Sequence, residues 1–167
     1  MIEVVIDSIR ISLISQHRIV MLRDIDGDRQ LPIWIGPCEA EAITIELQDV
    51  EIARPVTHDL LKNVIEDMKG AVSHILINEL RDQVFYARLF IDQKGRDVLE
   101  IDCRPSDAIA LAVRAKVPIF VDESVMDAAG ILPEPDVTES EAEPTAGLDA
   151  FKDFVDTLDF DDFEGES

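Results

Sequence analysis

Three short stretches concentrate the residue types that do chemistry: Gly36-Pro37-Cys38-Glu39-Ala40-Glu41-Ala42, Arg54-Pro55-Val56-Thr57-His58-Asp59 and Arg104-Pro105-Ser106-Asp107-Ala108. Each places polar side chains where the pattern starts a helix. First-turn N–H groups lack intrahelical acceptors and sit at the positive end of the helix dipole, so such a start can receive an anion. An arginine just ahead of it adds a bidentate ligand, which makes Arg54 and Arg104, with Thr57 and Ser106, candidate phosphate-binding residues. Histidine ordinarily titrates near neutral pH, so His58 is a candidate general base, with Asp59 and Asp107 as acidic partners. Capping competes with these roles, because polar and acidic residues in a first turn also stabilise their own helix. Two Arg-Pro steps, each followed by an acid, lead us to expect one shared site. It would join the turns at Arg54-Pro55 and Arg104-Pro105, within a protomer or across a dimer, and include His58, Asp59 and Asp107.

The elements that must position these residues follow from periodicity. Residues 2–13 alternate with a one-residue slip near Asp7-Ser8, which predicts a strand with a bulge. Residues 18–25 and 30–35 read as strands joined by a turn at Asp26-Gly27-Asp28. Gly36-Pro37 then opens a helix over residues 38–48. A second helix begins with Thr57 as N-cap, carries an apolar stripe of Leu60, Leu61, Val64, Ile65 and Met68, and stops at Gly70. Strands follow over residues 72–79, 84–91 and 98–103, then a helix from Pro105 or Ser106 to Ala115, a short strand over 118–121 and a helix over 123–129 closed by Gly130. The class is α+β, with two groups of largely antiparallel strands and the order β-β-β-α-α-β-β-β-α-β-α. A weak echo sets Glu41-Ala42-Ile43 on Asp107-Ala108-Ile109, as if three strands feeding a helix occurred twice.

This domain is expected over residues 1–132, followed by an acidic linker over 133–147, rich in Pro, Glu, Thr and Ser. Residues 148–167 carry Phe151, Phe154, Val155 and Leu158 at helical spacing, an amphipathic helix suited to docking on the domain or a protein partner. Of the 36 acidic residues 13 lie from Glu134 onward, against one lysine, which leaves about −9 of the net −21 on the residues before it. A nonspecific nucleic-acid binder draws its affinity from basic patches, and the sequence offers no basic run of that kind. No stretch approaches the roughly 18 apolar residues of a membrane span, and the N-terminus lacks a signal-peptide pattern, so the expected setting is the cytoplasm. Cys38 and Cys103 have no metal-ligand spacing, read as buried thiols, and are not made a metal site by Asp102 beside the second. Trp34, alternating within a strand, is expected in the core or a dimer interface.

Four segments taken together, LPIWIGPCEAEAI (31–43), RPVTHDLL (54–61), FYARL (85–89) and RPSDAIALAVRA (104–115), resemble the bifunctional nuclease family of bacteria and plants. The resemblance spans residues 2–132, and the closing helix is similar to a tail of some members. It implies an α+β domain, a homodimer or larger assembly, and cleavage of both DNA and RNA. Phosphodiester hydrolysis needs an activated water, stabilised phosphoryl charge and often divalent metals on carboxylates. Glu39, Glu41, Asp59 and Asp107 are the candidate ligands for Mg²⁺ or Mn²⁺, beside His58 as base and Arg54 and Arg104 as phosphate clamps. The alternative is a regulatory or scaffold module that binds a protein, nucleotide or metabolite through the same helix termini. A third reading makes the acidic tail a nucleic-acid mimic on a partner's basic surface.

Overall fold

The computed structural model describes residues 1–11 and 17–133; the expected closing helix and nearly all of the expected linker lie outside this range. The chain forms β1 (Ile2–Ile11), β2 (Arg18–Asp24), β3 (Gln30–Ile35), α1 (Pro37–Leu47), α2 (Thr57–Asp67), β4 (Gly70–Arg81), β5 (Val84–Gln93), β6 (Leu99–Cys103), α3 (Pro105–Ala115), β7 (Ile119–Val121) and α4 (Glu123–Ala129). This is the expected α+β order. The slip in β1 is a bulge, where the register with β2 shifts between Ile6 and Ser8.

The two strand groups merge into one seven-stranded sheet of order β3-β2-β1-β7-β4-β5-β6. Each group is a meander, and the three residues of β7 join them by pairing antiparallel to β1 and parallel to β4. In both meanders the outermost strand, β3 or β6, leads into an 11-residue helix with proline at its start. The helices therefore correspond as Pro37 with Pro105 and Glu39 with Asp107, two residues away from the offset of the sequence echo.

Alternation sorts the sheet into two faces. On one, Val20, Leu22, Leu31, Ile33, Ile75, Ile77, Ala87 and Leu89 form the core with Ala40 and Ile43 of α1, Ala108 to Ala112 of α3, and Val125 and Met126 of α4. On the other, Trp34 is 62% exposed, not part of the core as one expectation had it. Its neighbour in sequence, Ile33, points into the core.

The second helix departs most from expectation. Its N-cap is Val56, so Thr57 is the first helical residue and caps nothing with its side chain. Of its apolar stripe only Ile65 is buried, while Leu60, Leu61, Val64 and Met68 face outward. The inward residues are His58 and Ile65, seven positions apart on one face. Polar contacts at its first turn set this rotation, as described below. Gly70 is not the helix stop either: Lys69 takes the left-handed conformation (φ 62°), and Gly70 opens β4. A Cβ on Gly70 would lie 2.9 Å from Ile91 Cγ2 and 3.1 Å from Ile65 Cγ2, so glycine is needed for close packing of α2 on the sheet. Gly70→Ala should lower stability by about 1–3 kcal/mol through overpacking, measured by urea denaturation.

Candidate functional site

The starts of α1, α2 and α3 meet. They enclose a cleft of about 500 Å³ lined by Cys38, Glu39, Glu41, Ala42 and Ile45 of α1, Ile52 and Val56 of the connection, Thr57 and His58 of α2, and Arg104 and Asp107 at α3. Proline at the first position of α1 and α3 fixes a helical φ where no intrahelical N–H bond is lost. The Glu39 carboxylate folds back over the turn at Gly36, close to where a Cβ on that residue would lie.

Arg104 is the N-cap of α3 but does not cap it. Its Nε donates to Asp107 Oδ2 at 2.7 Å, and its Nη2 donates to Asp107 Oδ1 at 3.0 Å and to Glu39 Oε1 at 2.7 Å. One guanidinium thus joins the third residues of two helices. The same Asp107 Oδ1 lies 3.3 Å from Nε2 of the buried His58. If Nε2 carries the proton toward Asp107, Nδ1 has the free lone pair. Burial opposes ionisation of Asp107, yet the hydrogen bonds and charges of Arg104 and His58 outweigh it and hold the carboxyl below its ordinary value. The same two carboxylates push the Arg104 guanidinium above its usual value.

A second guanidinium lies beneath the cleft. Arg114, only 4% exposed, donates from Nε to Asp59 Oδ1 at 2.5 Å, from Nη1 to Ala110 O at 2.8 Å and from Nη2 to Ala42 O at 2.9 Å. Asp59 Oδ2 accepts the Val56 N–H at 2.9 Å, which closes the first turn of α2. Asp59 is therefore committed on both oxygens to holding α2 against α3 and α1. Burial raises its pKa, but the Val56 hydrogen bond and Arg114 outweigh it and leave the carboxyl below its ordinary value.

A family model described as the bifunctional nuclease domain matches residues 20–134. The chain belongs to this family. An uncharacterized protein of Mycobacterium tuberculosis is 40% identical over 165 residues, covering 97% of this chain and 98% of its own. Bifunctional nuclease 1 of Oryza sativa subsp. japonica is 32% identical over 114 residues, 66% of this chain and 34% of the plant protein. Bifunctional nuclease 2 of Arabidopsis thaliana is 30% identical over 112 residues, again 34% of its length. The plant matches thus concern a domain, whereas the mycobacterial one runs through nearly the whole chain.

Within this bifunctional nuclease domain, the cleft gathers Glu39, Glu41, Thr57, His58, Arg104 and Asp107 from the residues singled out in the sequence. Arg54 is exposed and not among the lining residues, Ser106 is a buried residue of the first turn of α3, and Asp59 is turned to Arg114. The two helix starts share one cleft as expected, but with one arginine rather than two. The expected buried thiols divide: Cys38 is exposed at the cleft, while Cys103 is partly buried. Burial, with Asp102 and Asp107 adding, pushes the Cys103 thiol up to about 11. Arg114 was missed, and its signal was present: it lies seven residues after Asp107, on the same face of an otherwise apolar helix.

Mg²⁺ or Mn²⁺ would need several oxygen donors free to converge on one point. Among the described residues no group of three or more His, Cys, Asp or Glu side chains is placed to hold a metal ion. Glu39 and Asp107, the best oxygen donors in the cleft, both bind Arg104. As arranged, these residues fit a guanidinium and not a divalent cation.

The Asp59 ion pair has a definite pH signature. Its folded pKa lies below that of an ordinary carboxyl group, so its stabilisation is complete above the unfolded value and fades as pH falls through the lower folded one. Asp59→Asn should destabilise the protein by about 3 kcal/mol at pH 7, because Arg114 stays buried without an anion. The difference from wild type should shrink as pH drops below that of an ordinary carboxyl group, as measured by chemical denaturation across pH.

Proposed function

We propose that this chain is a nuclease that hydrolyses phosphodiester bonds in DNA and RNA. The observation that carries the reading is the cleft itself, where buried His58 is hydrogen-bonded to Asp107 beside Arg104 at three converging helix starts. In this proposal His58 accepts the proton of the attacking water through Nδ1, and Asp107 orients the ring and stabilises its charged form, as a carboxylate does for a histidine base. Arg104 turns from Glu39 to the phosphoryl oxygens, and the amides at the helix starts add positive potential. Thr57, at the rim, supplies a hydroxyl. Arg54, exposed outside the lining, is left to meet a longer substrate, and buried Ser106 takes no part. No step is assigned to a metal, given the fit described above.

A second reading, a regulatory or scaffold module for a protein, nucleotide or metabolite, draws on one fact. The arginine of the cleft is already satisfied by two carboxylates. Cleavage of single-stranded DNA and RNA by purified full-length protein decides between them, with Mg²⁺, Mn²⁺ or a chelator as parallel arms. His58→Ala and Asp107→Ala should each lower the rate by about 10²-fold or more, as loss of acid–base catalysis does. Activity that persists equally in both variants comes from elsewhere and ends the proposal.

The assembly we propose is a cytoplasmic homodimer. No described helix is long and apolar enough to cross a membrane. Exposed Trp34 and Val5 lie on the sheet face turned away from the core, and an apolar sheet face of this kind favours a second copy. Light scattering at micromolar concentration should give twice the chain mass, and Trp34→Glu should shift it toward the monomer.

A further inference from the structure

Glu39 and Asp107 stand at equivalent third positions of α1 and α3, and their carboxylates converge on one point. That point is filled by Arg104, which spans them with two donor edges at 2.7 Å. Two carboxylates supplemented by water are what a hard divalent ion takes from a protein. Here the geometry is planar and bidentate toward Asp107, the geometry of a guanidinium. We propose that Arg104 is the resident cation of the cleft and that it keeps divalent metal off Glu39 and Asp107.

Two further features support this. The Arg104 side chain is 66% exposed, so little packing fixes the guanidinium in place. Its position is set by the two carboxylates, and removing it should leave the fold intact. Glu39, by contrast, is 17% exposed and lies over the turn at Gly36. Without Arg104 the two carboxylates keep only the His58 ring, on Asp107, as a partner, beside Glu41 in the same cleft. Such a cluster recruits a cation. The arginine thus sets which kind of cation the site holds.

The test is a titration with Mn²⁺ alone on the full-length chain at pH 7, read by electron paramagnetic resonance of the free ion. Because it measures no cleavage, it stands or falls apart from the nuclease proposal. Arg104→Gln should bind Mn²⁺ at least about tenfold more tightly than wild type, and the added Glu39→Gln change should remove that gain. The acidic residues from Glu134 on contribute the same background to every variant. Thermal melts check folding, and Arg104→Lys is the second variant. Its ammonium keeps the positive charge but lacks the fork that meets Asp107 bidentately, so it should bind Mn²⁺ with intermediate affinity. Wild type that binds Mn²⁺ as tightly as Arg104→Gln overturns the proposal. So does a gain that survives Glu39→Gln, because the ion would then sit elsewhere.

Discussion

The buried guanidinium of Arg114 is the contact on which the arrangement of this domain depends. It binds the carboxylate of Asp59 on α2, the carbonyl of Ala42 on α1 and the carbonyl of Ala110 one turn back on its own helix. A charge so deeply buried is tolerable only when it is paired and its donors are used, and three helices supply what it needs. Since Asp59 also closes the first turn of α2, the same interaction fixes the direction in which that helix leaves its connection. His58, the residue before Asp59, is thereby aimed at Asp107. A structural ion pair below the cleft and a reactive-looking pair inside it are neighbours in sequence, so neither can move alone.

Charge is handled differently at the two levels. Below, Arg114 is shielded and irreplaceable by geometry. Above, Arg104 faces solvent and is held by carboxylates that face it from two helices. The protein carries a large excess of acid, so a local cation in the cleft is drawn to the nearest carboxylates unless a ligand competes. The cleft itself holds one arginine at three helix starts.

Much of this was legible in the sequence. Alternation gave β3 with its observed bounds, and the phase slip gave the β1 bulge, because one half-buried sheet imposes period two on every strand. The convergence of His58, Arg104 and Asp107 was legible as chemical repetition at two helix starts. The orientation of α2 was not. Leu60, Leu61, Val64 and Met68 form the more hydrophobic stripe and read as the inner face, yet polar contacts of His58 and Asp59 turn that stripe outward. Local hydrophobicity cannot report a partner 55 residues away, which is the separation between Asp59 and Arg114.

The placement of β7 also governs when the fold can exist. Its three residues, Ile119 to Val121, form the seam between two meanders that are each built from near neighbours in the chain. Each meander can assemble early from local contacts, but Ile2 must wait for Val121 to pair across the middle of the sheet. During synthesis the two halves therefore emerge with their inner edges open until almost the whole domain has left the ribosome. Closure is a late, long-range event, and until it happens β1 and β4 are unpaired edges of the kind that recruit other chains.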